Sequence, residues 1–499
     1  MLEYSLTKTK IKTGLICHKR LWYDINDRIR PNNHTLYIGN RFGEYVKTFY
    51  GKGVDLSEHF GDDILRLTHE AMDDPAVNVI YEAAFAYSDT LIRADVLIRD
   101  HEKWQLIEVK SSTSLQNDHL KDAAIQAFVI KNSNVLISEV KIAHINNQFI
   151  YQGNFKYEGL VIEINVDEKI AQLMPKVQWW INGLLPITKK ESMIPSVKMG
   201  EQCKDNKKRE CIYFERCENQ TFLGDVEVPI KILPRVGNSL QTMWFPKGIY
   251  DLRDLPVNTL SNKQYLRIQQ CHQLNSEWID PNLISQIQNY EWPRYFIDFE
   301  TIQQGVPLII NTQPYEPYPF QFSVHKWETQ DQVLTLEDSH AFLEFAEDGM
   351  DRRFLLELID NLGDKGPIFT HNSPTEISAM KRLAERPSCR DLRPMIDLII
   401  SRTIDTASMM RQGFYNPLMM GSFSLKDIVK ALPDADAYSN EGEAVGDGGS
   451  AMIKWLEYTN KITSQEKKIN IDVELRKYCA QDTLNLYHLF RYLVSKNPS

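Results

Sequence analysis

The stretch that most constrains the fold runs from Ala94 to Lys110. Ala94–Arg99 and Trp104–Lys110 are rich in alternating and β-branched apolar residues, and the polar turn Asp100-His101-Glu102-Lys103 separates them. This pattern predicts an antiparallel hairpin. Glu108 and Lys110 stand two apart on the return strand and so leave the same face, where Asp95 on the outgoing strand can join them. Unpaired buried charges are costly. The cluster therefore reads either as a salt-bridged surface hairpin or as a seat for a hard divalent cation and a polarised water.

A chain of 499 residues exceeds the size at which one core stops growing, so two or three domains are expected. No apolar run approaches a membrane span, and Met1-Leu2-Glu3-Tyr4 lacks the apolar segment of a signal peptide; a cytoplasmic protein with no membrane partner is expected. Seven cysteines without a secretory signal argue against a disulfide framework. A net charge of −10 argues against a general electrostatic binder of nucleic acid, though not against a local basic strip. Residues 1–50 offer one, with nine Lys/Arg against four Asp/Glu, including Lys8, Lys10, Lys12, Lys19, Arg20, Arg28 and Arg30. The plain alternative is a solvated helix face.

Helices are expected over residues 5–25 and 36–50, the second with Gly39 and Gly43 allowing close backbone approach. A strand bearing Glu82 leads into the hairpin. After Lys110 come a helix over about 118–131 carrying Gln126, strands at 141–144 and 160–164, and a helix to about Trp180. Cys203, Cys211 and Cys217 then fall within fifteen residues of a polar loop, which is poor core material. Thiolates so spaced bind zinc or an iron–sulfur cluster. Residues 218–293 are punctuated by prolines, with helices expected at 258–274 and 281–289; a helical hairpin around 248–256, able to grip a phosphate backbone, is a weaker expectation than a plain bridge.

In the second half, Tyr295–Thr301 is an expected strand with Asp298 and Glu300 on one face. Strands at 319–327 and near 333–336 would complete a meander, followed by a helix at 351–362 and a short strand at 367–370. Pro374 starts the next helix, with Glu376 in its first turn. Ile404-Asp405-Thr406, an N-capped helix after Ser424, and a last helix with Tyr478 and Asp482 four apart complete the chain. The loop 442–449 lacks the lysine of a phosphate cradle and is expected to be a flap.

Asp95 with Glu108-Val109-Lys110 resembles the PD-(D/E)XK nuclease superfamily. One Cys before that core and three after it resemble the iron–sulfur subgroup of RecB-like nucleases, which includes CRISPR-associated exonucleases and AddB-type repair nucleases. That resemblance implies a 4Fe-4S cluster on Cys17, Cys203, Cys211 and Cys217, with zinc in the same seat as the alternative. The seven residues between Cys203 and Cys211 depart from the usual two. It also implies that Gln126 contacts the site or the nucleic acid, and that Glu44 is a candidate extra carboxylate.

D-x-E, H-N-x3-E, I-D-T, F-S-L and Y-x3-D, taken in order, resemble the DEDDy branch of DnaQ-like exonucleases, a ribonuclease H-like fold. Asp298, Glu300, Glu376 and Asp482 would then hold Mg²⁺ or Mn²⁺, and Tyr478 would orient the attacking water. Glu376 stands where Asp is usual, which puts activity more in question than fold.

The expected architecture is α/β: a PD-(D/E)XK domain over 1–217, a mostly helical connector over 218–293, and a DEDDy domain over 294–499. The whole is similar to bacterial predicted RecB-family nucleases with an uncharacterised C-terminal exonuclease-like domain. The implied activity is metal-dependent hydrolysis of DNA, single-stranded or free-ended, in repair, recombination or antiphage defence. RNA as substrate, a second domain that only binds nucleic acid, and a non-catalytic scaffold are the alternatives.

Overall fold

The computed structural model describes residues 4–29, 34–189, 192–203, 211–221, 226–345, 350–433 and 448–496. About half of the residues lie in helices, and the main sheets are mixed. The chain divides into two compact units, Met1–Gly224 with Gln304–Tyr315, and Asp225–Gln303 with Glu316–Ser499. Among the described residues no helix is long and apolar enough to cross a membrane.

The first unit runs β1 (Leu6–Thr7), α1 (Lys8–Ile16), α2 (His18–Asn26), α3 (His34–Tyr50), β2 (Val54–Asp55), α4 (Gly61–Asp73), β3 (Val79–Tyr87), β4 (Thr90–Asp100) and β5 (Lys103–Lys110). It continues with α5 (Asn117–Asn132), β6 (Ile137–Ile145), β7 (Val161–Asn165), α6 (Asp167–Ala171), α7 (Met174–Leu184) and α8 (Phe214–Thr221). The sheet order is β2-β3-β4-β5-β6-β7, so the hairpin of β4 and β5 lies at its centre. Ile125, Val129 and Ile130 of α5 are buried in one core with Ile80, Leu97 and Leu106 of the sheet.

Two expectations change here. The single helix over 5–25 is a short strand and two helices, broken at Cys17, which is extended at φ −158° and ψ 118°. The break lets Leu21 fold back beside Gly14, whose missing side chain also leaves room for Leu184. Tertiary packing thus overrides a helical pattern that local propensity permits. At Gly43, among the described residues outside its own helix backbone, nothing lies within 4 Å of where a side chain would begin, so no close approach is seen there.

Within the hairpin, β4 pairs with β5 from Asp100↔Lys103 to Val96↔Ile107 and no further. Beyond that point β1 pairs parallel with β4 at Thr90 and Leu91, and α1 begins at the next residue, Lys8. Asp95 and Glu108 stand one position past the last pair, where the strands part. Segment Gln304–Tyr315 also belongs to this unit. Tyr151 N–H donates to the Thr312 carbonyl at 3.0 Å, the Tyr157 hydroxyl to the Pro307 carbonyl at 2.9 Å, and the Tyr315 hydroxyl to the Ser111 carbonyl.

The second unit contains α9 (Gly237–Trp244), α10 (Lys263–Leu274), β8 (Trp278–Ile279), α11 (Pro281–Asn289), β9 (Arg294–Ile302), β10 (Tyr318–Trp327), β11 (Ser339–Leu343), α12 (Met350–Leu362) and β12 (Ile368–Thr370). After these come α13 (Pro374–Glu385), α14 (Arg393–Arg402), β13 (Thr403–Asp405), α15 (Thr406–Gly413), β14 (Phe414–Tyr415), α16 (Leu425–Val429), α17 (Gly448–Thr459) and α18 (Gln465–Val494). The five-stranded order is β11-β10-β9-β12-β13, antiparallel through the first three strands and parallel through the last two pairings. Segment 226–293 contributes to this unit's core: Ile230, Leu252, Ile268 and Ile287 are buried with Phe296, Phe369 and Phe490.

The third strand of the meander begins later than expected. Residues Leu336–Asp338 form a 3-10 turn capped by Thr335, whose hydroxyl and amide both meet Asp338, and the strand follows at Ser339. Helix α10 likewise starts at Lys263, where Asn262 accepts from Gln264 N–H, rather than at 258. Around 248–256 there is a three-residue turn, Leu252–Asp254, with Arg253 paired to Asp251, in place of a helical hairpin. Of the Gly-rich loop, residues 442–447 lie outside the described residues, and Gly448 opens α17.

Buried polar residues on one face of β10 seat α18. Gln321 donates to the Leu475 carbonyl at 2.8 Å, Ser323 to the Cys479 carbonyl at 2.7 Å, and His325 Nδ1 meets Thr483 Oγ1 at 2.8 Å. Steps of two along a strand and four along a helix advance by similar lengths, about 6.7 and 6 Å. The two rows therefore stay in register, and this seating fixes which side of α18 faces β9.

Candidate metal centres

In the first unit, Glu108 is fully buried. Lys8 Nζ reaches its two oxygens at 2.9 and 3.0 Å, Lys110 Nζ lies 2.5 Å from Oε1, and Gln126 Nε2 donates to Oε2. Val109 N–H donates to Asp95 Oδ2 at 2.7 Å, and Lys8 Nζ is 3.7 Å from Asp95 Oδ1. Lys110 also pairs with Asp122 at 2.7 Å, which in turn pairs with Lys12 at 2.9 Å. The structure therefore gathers Asp95, Glu108, Lys110 and Gln126 as the sequence suggested.

Burial would raise the Glu108 carboxyl, but the Lys8 and Lys110 ammonium groups reverse that and hold it low. Asp95 is pushed up by burial and by Glu108, against the pull of Lys8 and Lys110. Burial opposes the charge on Lys8, yet Asp95 and Glu108 keep its pKa above the ordinary value. Lys8 and Lys12 thus turn inward instead of forming a solvated face. Their spacing of four, one helical turn, was the available signal. Asp122 was missed, although it precedes Gln126 by one turn of α5 and so shares its face. Glu44 is not brought in: it is exposed and pairs with Lys47 at 2.9 Å.

In the second unit, Asp298, Glu300 and Asp482 each offer a carboxylate oxygen within 4.8 Å of the others. Asp298 and Glu300 come from the same face of β9, and Asp482 from α18. Glu376, in the first turn of α13, is 4% exposed, and among the described residues its buried Oε2 has no hydrogen-bond partner. Burial raises the Asp298 carboxyl well above its ordinary value, and Asp482, Glu300 and Glu376 add to the shift. Burial also brings Glu376 to about 7, with a further contribution from Asp405. An orphaned buried carboxylate oxygen is costly in water-free surroundings. Asp298, Glu300 and Asp482 form a donor set that fits a hard divalent cation, while Glu376 lies outside that group and acts on Asp298 through its charge.

Tyr478 is buried one turn before Asp482, with the Lys426 ammonium of α16 5.8 Å from its ring centre. Asp405 caps α15 through Ala407 N–H at 3.1 Å and accepts from Asn372 N–H at 3.0 Å, a supporting role. His371 links Thr406 Oγ1, at 3.0 Å, to the Phe423 carbonyl, at 2.8 Å.

The four cysteines named from the sequence come from two distant segments into one electrostatic neighbourhood. Burial raises the Cys203, Cys211 and Cys217 thiols, and neighbouring thiols add to this; Lys19 counters it at Cys203 and Cys217, and Arg20 at Cys211. Cys211 N–H donates to the Cys203 carbonyl at 2.8 Å, and Tyr213 stacks on Tyr23 with ring centres 5.0 Å apart. No three of these sulfurs form a group within 4.8 Å of one another, the spacing that the carboxylates of the second unit do meet.

A family model described as a domain of unknown function, DUF2779, matches residues 295–424. The match includes Asp298, Glu300 and Glu376 and ends before Tyr478 and Asp482. No curated protein matches the chain.

Proposed function

We propose that the chain is a metal-dependent nuclease that hydrolyses phosphodiester bonds of DNA, acting on single strands or free ends. The observation that carries this reading is the convergence of Asp298, Glu300 and Asp482, each with a carboxylate oxygen within 4.8 Å of the others, with the buried Glu376 acting on Asp298. Strand order β11-β10-β9-β12-β13 with an antiparallel second strand is also the arrangement expected of a ribonuclease H-like domain. Mg²⁺ or Mn²⁺ held there would stabilise the charge that develops on attacking and leaving oxygens. Asp298, Glu300, Glu376 and Asp482 would hold the ions, and Tyr478 would orient the attacking water.

In the first unit, Asp95 and Glu108 would hold the metal in a PD-(D/E)XK arrangement, with Lys110 placing and polarising the water. The sequence put the second site in more doubt, because Glu376 replaces the usual Asp. Against that, Glu108 already has lysine partners, whereas Glu376 Oε2 has none among the described residues. For the cysteines, one zinc ion needs sulfurs about 3.8 Å apart, given tetrahedral bonds of ~2.3 Å. A 4Fe-4S cluster on Cys17, Cys203, Cys211 and Cys217 would staple the break between α1 and α2 to the segments carrying the other three thiols.

The test is digestion of end-labelled single- and double-stranded DNA and RNA with Mg²⁺, Mn²⁺ or chelator, using Asp298→Ala and Glu108→Gln separately. Metal-dependent release of labelled nucleotides, lost in one or both variants, is expected. Digestion untouched by Asp298→Ala would leave the second unit a nucleic-acid-binding module, and no metal-dependent digestion of any substrate would overturn the reading.

A further inference from the structure

We propose that Lys8 is a built-in cation of the first site, occupying the position between Asp95 and Glu108 that a divalent ion would take, so that metal binds there only by displacing it. The proposal rests on reading Asp95 and Glu108 as metal ligands.

Geometry carries the argument. Lys8 Nζ touches both Glu108 oxygens, at 2.9 and 3.0 Å, and is 3.7 Å from Asp95 Oδ1. Lys110 lies against Oε1 and Gln126 against Oε2 of the same carboxylate. With two lysines and a glutamine amide upon it, Glu108 cannot also bind a metal unless a donor leaves. Lys110 is further held by Asp122 at 2.7 Å, and Gln126 is fully buried on α5. Lys8 and Lys110 are equally exposed, at 20% and 21% of the side chain, so the Asp122 pair is what separates them: it anchors Lys110 and leaves Lys8 the donor that can swing out on its flexible stem. It is also the one that faces both acids.

The local structure agrees. Lys8 is the first residue of α1, where the helix dipole disfavours a positive charge, and that first turn contains no acidic residue. The helix itself therefore gives no reason for a lysine here; the two acids across the parted strands do. Pairing of β1 with β4 places α1 so that its opening residue projects into the gap left beyond Val96↔Ile107.

The experiment measures Mn²⁺ binding directly, from the electron paramagnetic resonance signal of free Mn²⁺, in the full chain with the second site silenced by Asp298→Asn and Asp482→Asn. Lys8→Gln is expected to lower the Kd of the first site on the order of tenfold or more, the scale of one charge-assisted contact removed from competition. Adding Glu108→Gln to Lys8→Gln should abolish that tighter binding. Lys8→Arg, which keeps the charge, should bind no better than the parent. Binding that is unchanged or weaker in Lys8→Gln, yet still lost with Glu108→Gln, overturns the proposal and leaves the metal site standing. Mn²⁺ binding indifferent to Glu108→Gln in every background overturns the metal site and the proposal together. Should Lys8→Gln fold poorly, the melting midpoint with and without Mn²⁺ decides: the Mn²⁺-induced rise should exceed the parent's, and an equal or smaller rise counts against displacement.

Discussion

The Ser323 hydroxyl donates to the Cys479 carbonyl at 2.7 Å, joining the centre of β10 to the middle of α18. Asp482 follows Cys479 by three residues, so this contact helps set whether its carboxylate meets Asp298 and Glu300. Ser323→Ala should cost roughly 0.5–1.5 kcal/mol, the net worth of a buried hydrogen bond, because the Cys479 carbonyl keeps its bond within the helix. Mn²⁺ affinity of the second site should fall with it, although Ser323 is not proposed as a ligand. Chemical denaturation and Mn²⁺ titration of the same variant check both effects.

Asp298→Asn should act in opposite directions on stability and on metal binding. Without metal, the substitution removes a carboxylate that burial, and then the neighbouring Asp482, Glu300 and Glu376, make costly to ionise. The variant should therefore melt higher than the parent in chelator. In Mn²⁺ the order should invert, because the parent gains ligand stabilisation that the variant lacks. Melting curves in both buffers suffice.

Glu376 gives a pH dependence whose sign can be worked out. Its folded pKa is raised from 4.5 to about 7, so its contribution to stability of the metal-free fold is full below about 4.5 and is lost as pH rises through about 7. A metal needs the ionised form, so Mn²⁺ affinity at the second site should rise as pH rises through about 7, with the raised Asp298 adding to the slope. Glu376→Gln should weaken binding and remove that part of the slope. Titrations between pH 5.5 and 8.5 read it.

Truncating Glu108 should be far more damaging than neutralising it. Glu108→Ala leaves Lys8 and Lys110 facing a buried gap, and breaking such a pair costs about 3–5 kcal/mol. Glu108→Gln keeps the shape and two hydrogen-bonding atoms and should fold. Comparing their urea midpoints tests this, and it makes Glu108→Gln the variant suited to activity assays.

Cys17→Ser should lower the stability of the first unit and remove any bound iron, whereas Cys271→Ser should not alter metal content, because Cys271 is buried in the other core. Anaerobic purification should give an absorption band near about 400 nm, the region of thiolate–iron charge transfer. A colourless protein with one equivalent of zinc would place zinc in the cysteine seat.

Much of this was legible from the chain, and the reason is local. A period of two and a polar turn define β4 and β5 and put Glu108 beside Lys110. The same rule places Asp298 with Glu300, Pro374 starts α13, and Ser424 caps α16 through Asp427 N–H. These depend on backbone geometry over a few residues, which residue type and spacing report directly. Tertiary structure alone decided the break at Cys17, the inward turn of Lys8, the role of Asp122, the seating of α18 by Gln321, Ser323 and His325, and the place of Gln304–Tyr315 in the first unit. Each of these hangs on partners far apart along the chain, as with Lys8 and Glu108, separated by 100 residues. Which distant surfaces meet is set by the joint burial of a whole core and by the need of every buried charge to find a partner, and no short window of sequence contains that information.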